Sequence, residues 1–175
     1  VSAVVIEDKV FPKRNSLDPL AEQVLEEPAL FADKIAAGKE VQGTSDFMVI
    51  ARLESLISGR GLDDALERAE VYARAGADGI VIHSKEKSSD EVLAFAEAFP
   101  ALCDRIGRRP VLVSIPTTYN SITDRELADA GFNIVIHANH LMRSAHKSMK
   151  EVAEVILRND RSFEVDEQCS PVREL

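Results

Sequence analysis

The sequence predicts an α/β fold built on a parallel sheet, and three observations lead to this prediction. Short apolar runs rich in β-branched residues recur along the chain, each bounded by Gly, Pro or polar residues, as is typical of strands buried on both faces of a parallel sheet. Longer segments with apolar residues at helical spacing separate these runs. Polar side chains gather where the apolar runs end. Strict alternation of the two kinds of segment favours a parallel sheet with right-handed crossovers.

The predicted strands are the near-continuous apolar runs of the chain. They are Val1–Ile6, Phe47–Leu53, Gly79–His83, Val111–Ile115 and Asn133–His137. The first run begins at position 1, although chain termini usually lie at the surface and outside core strands. We therefore expect the sequence to be a piece of a longer protein.

A predicted helix follows each strand. The helices are Pro28–Gly38, Leu62–Ala75, Ser89–Leu102, Thr123–Ala130 and Asn139–Arg158. Gly38 is expected to end the first helix, because glycine adopts the left-handed conformation of many helix C-termini. Ser88 with Glu91, and Thr123 with Glu126, have the three-residue spacing of a capping box.

The remaining helical segments give three further expectations. The charges within Asp63–Arg74 are interpreted as a solvated helix face. Asn139 is expected to cap the last helix, which is long and amphipathic. After Asp160 the chain is predicted to be a polar coil, so that residues 161–175 could link the preceding domain to a further element.

Composition excludes several classes of function. The 175 residues are 45% hydrophobic and 29% charged, which indicates a globular chain. The net charge of −9, with scattered basic residues, argues against nucleic-acid binding and against an anionic membrane surface. No apolar run approaches the roughly 20 residues of a membrane-spanning helix. Cys103 and Cys169 are too few for a disulfide framework and lack metal-ligand spacing, so we expect a cytoplasmic protein.

Polar residues follow the predicted strands at their C-terminal ends. They are Glu7, Arg52, His83, Ser84, Thr117 and His137. In a (β/α)8 barrel this edge carries the chemistry. Alternation alone leaves both a barrel and an open doubly wound sheet possible, and no G-x-G-x-x-G fingerprint of dinucleotide binding follows any strand. In a barrel, these units would form the C-terminal part, with about three units preceding them.

The connection after the first strand is the most informative segment. It runs about twenty residues, whereas strand-to-helix loops usually have two to six, and long loops at a barrel's C-terminal edge are often lids. Its cationic and hydrogen-bonding side chains suit an anion; they are Lys9, Lys13, Arg14, Asn15 and Ser16. Glu7 could hold Mg²⁺ directly or through water, since Mg²⁺ prefers oxygen ligands. A solvated surface loop of mixed charge is the alternative.

Arg52 and His83 are the candidate anion-binding residues on neighbouring strands. A buried arginine is costly unless it is paired, and its planar fork matches a carboxylate or a phosphate. An ion pair of Arg52 with Glu54 or Glu7 that only fills the edge of the sheet is the alternative. His83 could donate to the same anion, although a lone histidine at a strand end is more often structural.

Several linked motifs carry a resemblance to a known family. They are E-D-K-x-F-P-K-x-N-S-L at Glu7–Leu17, V-I-A-R-L-E-S-L-I-S-G at Val49–Gly59, A-G-A-D-G-I-V-I-H-S-K at Ala75–Lys85, I-P-T-T-Y at Ile115–Tyr119 and I-H-A-N-H-L-M-R-S-A at Ile136–Ala145. In these motifs, their order and their spacing, the chain resembles the phosphoenolpyruvate mutase branch of the isocitrate lyase superfamily through about residue 160.

The resemblance implies a fold, an assembly and a reaction. It implies a (β/α)8 TIM barrel whose last helix is exchanged between the subunits of a homodimer or homotetramer. Residues 1–160 would be its C-terminal portion, comprising about five β/α units. The family's mutases are isomerases that interconvert phosphoenolpyruvate and phosphonopyruvate with Mg²⁺, which is the entry into phosphonate biosynthesis.

The resemblance also implies roles for single residues, carried over by position. Glu7 resembles the acidic residue that helps hold Mg²⁺, mainly through water. The gating loop that closes over substrate corresponds here to Lys13, Asn15, Ser16 and Leu17. Arg52 and His83 resemble the residues that contact the phosphoryl and carboxylate ends of the substrate. The aspartates that complete the metal site are expected on strands before this chain, so this chain alone is expected to be inactive.

Three other functions stay open. A phosphonopyruvate hydrolase of the same branch would share the loop, although the position of Asn15 is usually Thr in that group. A C–C lyase of the wider superfamily would carry a K-K-C-G-H lid, whereas Lys9–Leu17 contains no cysteine. A catalytically inactive barrel that serves as a scaffold is the alternative outside enzymology.

Overall fold

A computed structural model describes residues 1–174, in which five strands alternate with five helices. The strands are β1 (Ala3–Glu7), β2 (Met48–Leu53), β3 (Gly79–Ile82), β4 (Val111–Ser114) and β5 (Ile134–Val135). The helices are α1 (Pro28–Glu40), α2 (Gly61–Arg74), α3 (Asp90–Ile106), α4 (Asp124–Asp129) and α5 (His140–Asn159). The predicted alternation is therefore confirmed, with each strand and helix at its predicted place and end positions that shift by a few residues.

The sheet has the order β1-β2-β3-β4-β5, and every neighbouring pair is parallel. A doubly wound sheet reverses its strand order at a switch point, whereas sequential order is that of a barrel wall. The register pairs Glu7 with Arg52, and Arg52 with Val81. Glu7 and Arg52, two of the polar residues predicted at strand ends, therefore lie side by side along one edge.

Alternation along each strand separates two faces of the sheet. Val49, Ala51 and Leu53 belong to the main hydrophobic core, which the helices share. Because side chains alternate along a strand, Arg52 lies on the opposite face. Its register partner Glu7 shares that face, and so does His83, two residues beyond Val81. The sheet thus carries a packed helical side and a second side on which the candidate site residues lie.

The first strand differs from the prediction in its burial. Val4 and Val5 are 40% and 41% exposed, although a strand buried on both faces was expected. Within residues 1–174, β1 pairs with β2 alone, so one of its long edges has no strand beside it. The apolar run therefore predicted the strand correctly but not its burial.

The helix ends agree only in part with the local sequence patterns. Helix α1 continues through Gly38 to Glu40, and Val41 is its C-cap, so the expected stop at Gly38 is wrong. Lysine and glutamate, both good helix formers, follow the glycine, and a single interior glycine costs only about 1 kcal/mol. The Thr123–Glu126 capping box is confirmed, with hydrogen bonds in both directions.

The predicted capping box at Ser88 is wrong. Helix α3 begins at Asp90, and the Glu91 carboxylate instead accepts a hydrogen bond from Ser84 Oγ, at 2.5 Å. The Glu91 carboxylate is therefore bonded to the Ser84 hydroxyl, which follows β3, and does not cap the helix. Asn139 does stand at the start of α5, but it has a positive φ of 60° and makes no side-chain capping bond.

The chain divides into two compact units, Val1–Ile136 and a second that begins at His137. In the second unit α5 packs with a 3₁₀ helix, Phe163–Gln168, whose Val165 is buried. The expectation of a polar coil after Asp160 is therefore wrong for these residues, because Val165 between two acidic residues is buried where the 3₁₀ helix packs. Among residues 1–174 no helix is both long enough and apolar enough to cross a membrane.

Replacing Gly79 with alanine is expected to destabilise the first unit by roughly 1–3 kcal/mol. A Cβ at Gly79 would lie 2.6 Å from Val111 Cγ2 and 3.1 Å from the Val111 carbonyl oxygen, so two paired strands would have to move apart. Urea unfolding measures the effect. Gly43→Ala is the matched control, because a Cβ there meets no atom within 4 Å. Equal unfolding midpoints for the two variants would contradict this explanation.

Candidate active site

The long connection between β1 and α1 forms a hairpin-like flap, which we define as residues 9–25. Lys9 and Leu25 form an antiparallel bridge at its base. The Val10 amide donates to the Val24 carbonyl at 3.0 Å, and the Glu26 amide donates to the Asp8 carbonyl at 2.9 Å. The flap therefore leaves and rejoins the barrel edge at one point. Between these ends its backbone is irregular and most of its residues are exposed, apart from the buried Ser16, so its role as a lid stays a prediction.

Ser16 joins the flap to the end of β2. Its hydroxyl accepts a hydrogen bond from Arg52 Nη2 at 2.9 Å and donates to Glu54 Oε2 at 2.5 Å. Arg52 Nε donates to Glu54 Oε1 at 2.6 Å. Ser16 and Glu54 are buried and Arg52 is half-buried. Three polar side chains from two segments thus meet at the carboxyl edge of the sheet, and the predicted Arg52–Glu54 ion pair is present.

Two further charges border this cluster. The Glu7 carboxylate lies 3.7 Å from Arg52 Nε and 3.8 Å from Lys9 Nζ. Lys9 Nζ also lies 3.5 Å from Glu54 Oε2. Two carboxylates and two cations therefore alternate in one cluster beside Ser16, so that their charges balance.

His83 lies buried next to this cluster. Burial lowers its pKa to about 4, and the positive charge of Arg52 acts in the same direction. Within residues 1–174 its Nδ1 has no hydrogen-bond partner. At neutral pH His83 is therefore an uncharged imidazole, able to donate or accept a hydrogen bond but not to provide a cation.

The low pKa of His83 predicts a loss of stability in acid. The unfolded state, with an ordinary histidine pKa near 6.5, binds the proton more readily than the folded state. The contribution of His83 is therefore fully present above pH 6.5 and is lost as the pH falls towards 4, by about 2 kcal/mol at pH 5. Urea unfolding between pH 7.5 and pH 5 measures this loss. A His83→Gln variant should lose less stability over that range, and an identical slope in both proteins would contradict the assignment.

The structure brings some predicted residues together and leaves others apart. Lys13 donates from Nζ to the Glu7 carbonyl oxygen at 2.7 Å, so it reaches the edge of the site. Asn15 is exposed, and its Oδ1 accepts a hydrogen bond from the Leu17 amide at 2.9 Å. Leu17 is exposed as well. Ser16, Arg52 and Glu7 thus converge, whereas the Asn15 carboxamide oxygen bonds within the flap, and the roles of Asn15 and Leu17 stay predictions.

An open cavity of about 320 Å³ adjoins Ser16. Its walls include Ser16, Leu17, Gln23, Ile57, Lys85 and Thr118, so the predicted site residue Leu17 lies on this cavity. This volume is at the lower end of the range for small-molecule sites. Lys85 and Thr118 come from the connections after β3 and β4, and sequence reasoning did not single them out, although both lie within conspicuous motifs.

Sequence reasoning also missed a buried polar network below the flap. Asp8 accepts hydrogen bonds from the Tyr72 hydroxyl at 2.9 Å, from Arg68 Nη1 at 3.2 Å and from the Glu54 amide at 3.0 Å. Burial, and secondarily the charge of Asp8, raises the pKa of Tyr72, so its hydroxyl stays a donor. Arg68 is 1% exposed, which corrects the interpretation of this helix as a wholly solvated charged face.

The described residues fit only part of a magnesium site. The Glu7 carboxylate is partly exposed at the barrel edge, whereas those of Asp8 and Glu54 are buried and hydrogen-bonded within the protein. Among residues 1–174 no group of three or more His, Cys, Asp or Glu side chains could hold a metal ion. Of these three carboxylates, that of Glu7 is therefore the one accessible to an incoming cation.

Comparison with protein families and curated proteins gives a consistent result. The family model for phosphoenolpyruvate phosphomutase matches residues 1–157. Phosphonopyruvate hydrolase from Variovorax sp. (strain Pal2) is 41% identical over 175 residues, which cover 99% of this chain and 58% of that protein. Phosphoenolpyruvate phosphomutase from Tetrahymena pyriformis is 39% identical, over 100% of this chain and 56% of that protein. The chain thus spans little more than half the length of these relatives.

Solved structures show the same two relationships. The crystal structure of phosphoenolpyruvate phosphomutase from Streptomyces platensis subsp. rosaceus superposes with a TM-score of 0.90 at 40% identity, covering 99% of this chain and 58% of that one. A phosphonopyruvate hydrolase in complex with oxalate and Mg²⁺ superposes with a TM-score of 0.85 at 39% identity, covering 99% and 56%. The five β/α units described above therefore have the fold of part of these enzymes.

Proposed function

The chain belongs to the phosphoenolpyruvate phosphomutase family, and from this premise we propose that the intact protein interconverts phosphoenolpyruvate and phosphonopyruvate. The observation that supports this most strongly is the contact of the flap with the barrel edge. Ser16 on the flap is hydrogen-bonded to Arg52 and Glu54, with Glu7 and the uncharged His83 alongside. A site of this kind can enclose a small anionic acid.

The reaction asks for positioning rather than for covalent help from the protein. The bond between phosphorus and the enol oxygen of phosphoenolpyruvate breaks, and the phosphoryl group leaves as a metaphosphate-like species. The C3 carbon of the pyruvate enolate then forms the new bond to phosphorus. Phosphoryl transfer of this type is promoted mainly by orientation and by stabilisation of charge.

The side chains at the barrel edge have matching roles in this proposal. Arg52 would bind substrate oxygens through its guanidinium, which Glu54 holds in a fixed orientation at 2.6 Å. Ser16, Lys13 and Asn15 on the flap would surround the migrating group, and Leu17 would help cover it. His83, being uncharged, would donate one hydrogen bond without adding charge. Flap closure would exclude the water that otherwise captures the phosphoryl group.

Magnesium fits this proposal as a cofactor held partly by this chain. When bound, Mg²⁺ supplies positive charge that stabilises the oxygens of the enolate. Glu7 would contribute one oxygen ligand, directly or through water, and the remaining ligands would lie in the other part of the protein. We further propose a cytoplasmic homodimer or homotetramer that exchanges its last helix, with a small molecule as its substrate.

A hydrolase is the second candidate, and its similarity to this chain is a specific observation in its favour. The hydrolase from Variovorax is about as similar in sequence as the phosphomutases are. Both reactions could use Arg52 and the flap, and they differ in whether water reaches the phosphoryl group. Asn15 favours the mutase, since the resemblance gives threonine at this position in hydrolases.

Product analysis of the intact protein tests the proposal. Phosphonopyruvate with Mg²⁺ is expected to yield phosphoenolpyruvate, which ³¹P NMR distinguishes from inorganic phosphate. Formation of pyruvate and phosphate in place of phosphoenolpyruvate would contradict the mutase and support the hydrolase. An unchanged substrate would contradict both and favour a C–C lyase or a non-catalytic scaffold.

A further inference from the structure

Lys9 occupies an unusual place for a lysine in a flap, because its side chain is buried. The residue is 3% exposed, although it belongs to the base of a loop whose other cations, Lys13 and Arg14, are exposed. A buried ammonium group is costly unless hydrogen-bond acceptors surround it. The hydrogen-bond acceptors around Lys9 therefore indicate its structural role.

Those acceptors come from both limbs of the flap. On the outgoing limb, Lys9 Nζ donates to the Arg14 carbonyl at 2.6 Å and to Ser16 Oγ at 2.9 Å. On the returning limb, it donates to Gln23 Oε1 at 3.1 Å. An ammonium group has three donors, so these bonds use all of them. The Gln23 amide in turn donates to the Asn15 carbonyl at 3.0 Å, which closes the connection between the limbs.

The same ammonium group is tied to the barrel edge by charge. It lies 3.5 Å from Glu54 Oε2 and 3.8 Å from Glu7 Oε1. Arg52 is the other cation that faces these carboxylates. If the flap moved away, Lys9 would lose its flap acceptors while the carboxylates kept it at the edge. Lys9 thus couples the flap conformation to the residues that Ser16 contacts.

We propose that Lys9 is a positioning residue, which holds the flap closed and sets Ser16 against Arg52. Its effect on flap order rests on the contacts described above. Its effect on turnover rests also on the proposed function, because Ser16 and Arg52 then act on the substrate. The two effects can be measured separately.

Hydrogen–deuterium exchange of the intact protein tests the first effect. In Lys9→Met, which keeps most of the apolar stem and removes the donors, peptides covering residues 10–24 should exchange at least ~10-fold faster, the scale of losing charged hydrogen bonds. Peptides from β4 should be unchanged. Lys34→Met is the control, since Lys34 forms an exposed ion pair with Glu26 beside the flap. Unchanged exchange in residues 10–24 of Lys9→Met would overturn the proposal.

A second variant decides the case if Lys9→Met unfolds as a whole. Gln23→Met removes one of the Lys9 acceptors, and it should also speed exchange in residues 10–24, by a smaller factor. No change in this variant would then overturn the proposal.

Turnover measurements test the second effect. A fall in kcat larger than the change in KM for Lys9→Met, with partial rescue in Lys9→Arg, is expected if Ser16 has lost its position. Faster flap exchange in a protein without phosphomutase activity would refute the proposed reaction while leaving the flap contact supported. Unchanged kcat in an active phosphomutase would overturn the positioning role.

Discussion

Replacing Arg52 with alanine is expected to lower turnover of the intact enzyme by at least ~100-fold, the scale of losing one charge-stabilising donor. The Arg52 guanidinium is half-buried at the barrel edge, so part of it is accessible to an incoming ligand. It is also oriented by Glu54, so a substrate anion would meet a fixed pair of donors. Steady-state assays by ³¹P NMR measure the loss.

Two further variants show whether Arg52 acts through its charge and its shape. Arg52→Lys keeps the charge and loses the planar fork, so its turnover should lie between those of the wild type and of Arg52→Ala. Arg105→Ala removes an exposed arginine on α3 and should leave turnover unchanged. Near-normal turnover in Arg52→Ala would mean that the Arg52–Glu54 pair only fills the barrel edge.

Replacing Arg68 with methionine is expected to destabilise the first unit by ~3–5 kcal/mol, the usual cost of leaving one buried charge without its partner. The Arg68 guanidinium donates to Asp8 at 3.2 Å, to the Glu26 carbonyl at 2.9 Å and to Asp64 at 2.9 Å. It therefore connects helix α2 to both ends of the flap. Urea unfolding measures the change in free energy.

Arg74→Ala is the matched control for Arg68 on the same helix. Arg74 pairs with Glu70 but its side chain is 54% exposed, and exposed pairs contribute about 0–1 kcal/mol. Replacing both Asp8 and Arg68 by apolar residues should cost less than the sum of the two single replacements, because no lone charge is then buried. Additive losses, or a loss for Arg68→Met no larger than that for Arg74→Ala, would contradict the buried network.

The fold could be predicted from sequence because apolar runs and helical spacing are local patterns. Gly79–Ile82 and Val111–Ser114 appear within one or two residues of their predicted limits. Some errors arose where a partner outside the local pattern decided the outcome. The Glu91 carboxylate accepts a hydrogen bond from the Ser84 hydroxyl and does not cap the helix. The buried Arg68 donates hydrogen bonds to residues that lie about 40 to 60 positions away in the sequence. No periodicity within a helix reveals such a partner.

In the candidate site, too, the strand-end positions could be predicted from the sequence, whereas the contacts of the flap could not. The strand-end positions of Glu7, Arg52 and His83 follow from the sequence, because parallel strands end at a common edge. The inward position of Ser16 does not, since a flap of this length has many conformations. The prediction that Lys9 offers its charge to an external anion is wrong for this conformation, because the flap itself supplies three acceptors.

Arg52 and Glu7 at the barrel edge and Ser16 on the flap are expected to line one anion site. The most direct measurement is a crystal structure of the intact protein with Mg²⁺ and oxalate, a small dicarboxylate that tests whether this site binds an anion. We expect oxalate at the barrel edge, with one oxygen within hydrogen-bond distance of the Arg52 guanidinium and the flap closed above it. Oxalate bound elsewhere, with Arg52 in contact only with Glu54, would contradict the claim.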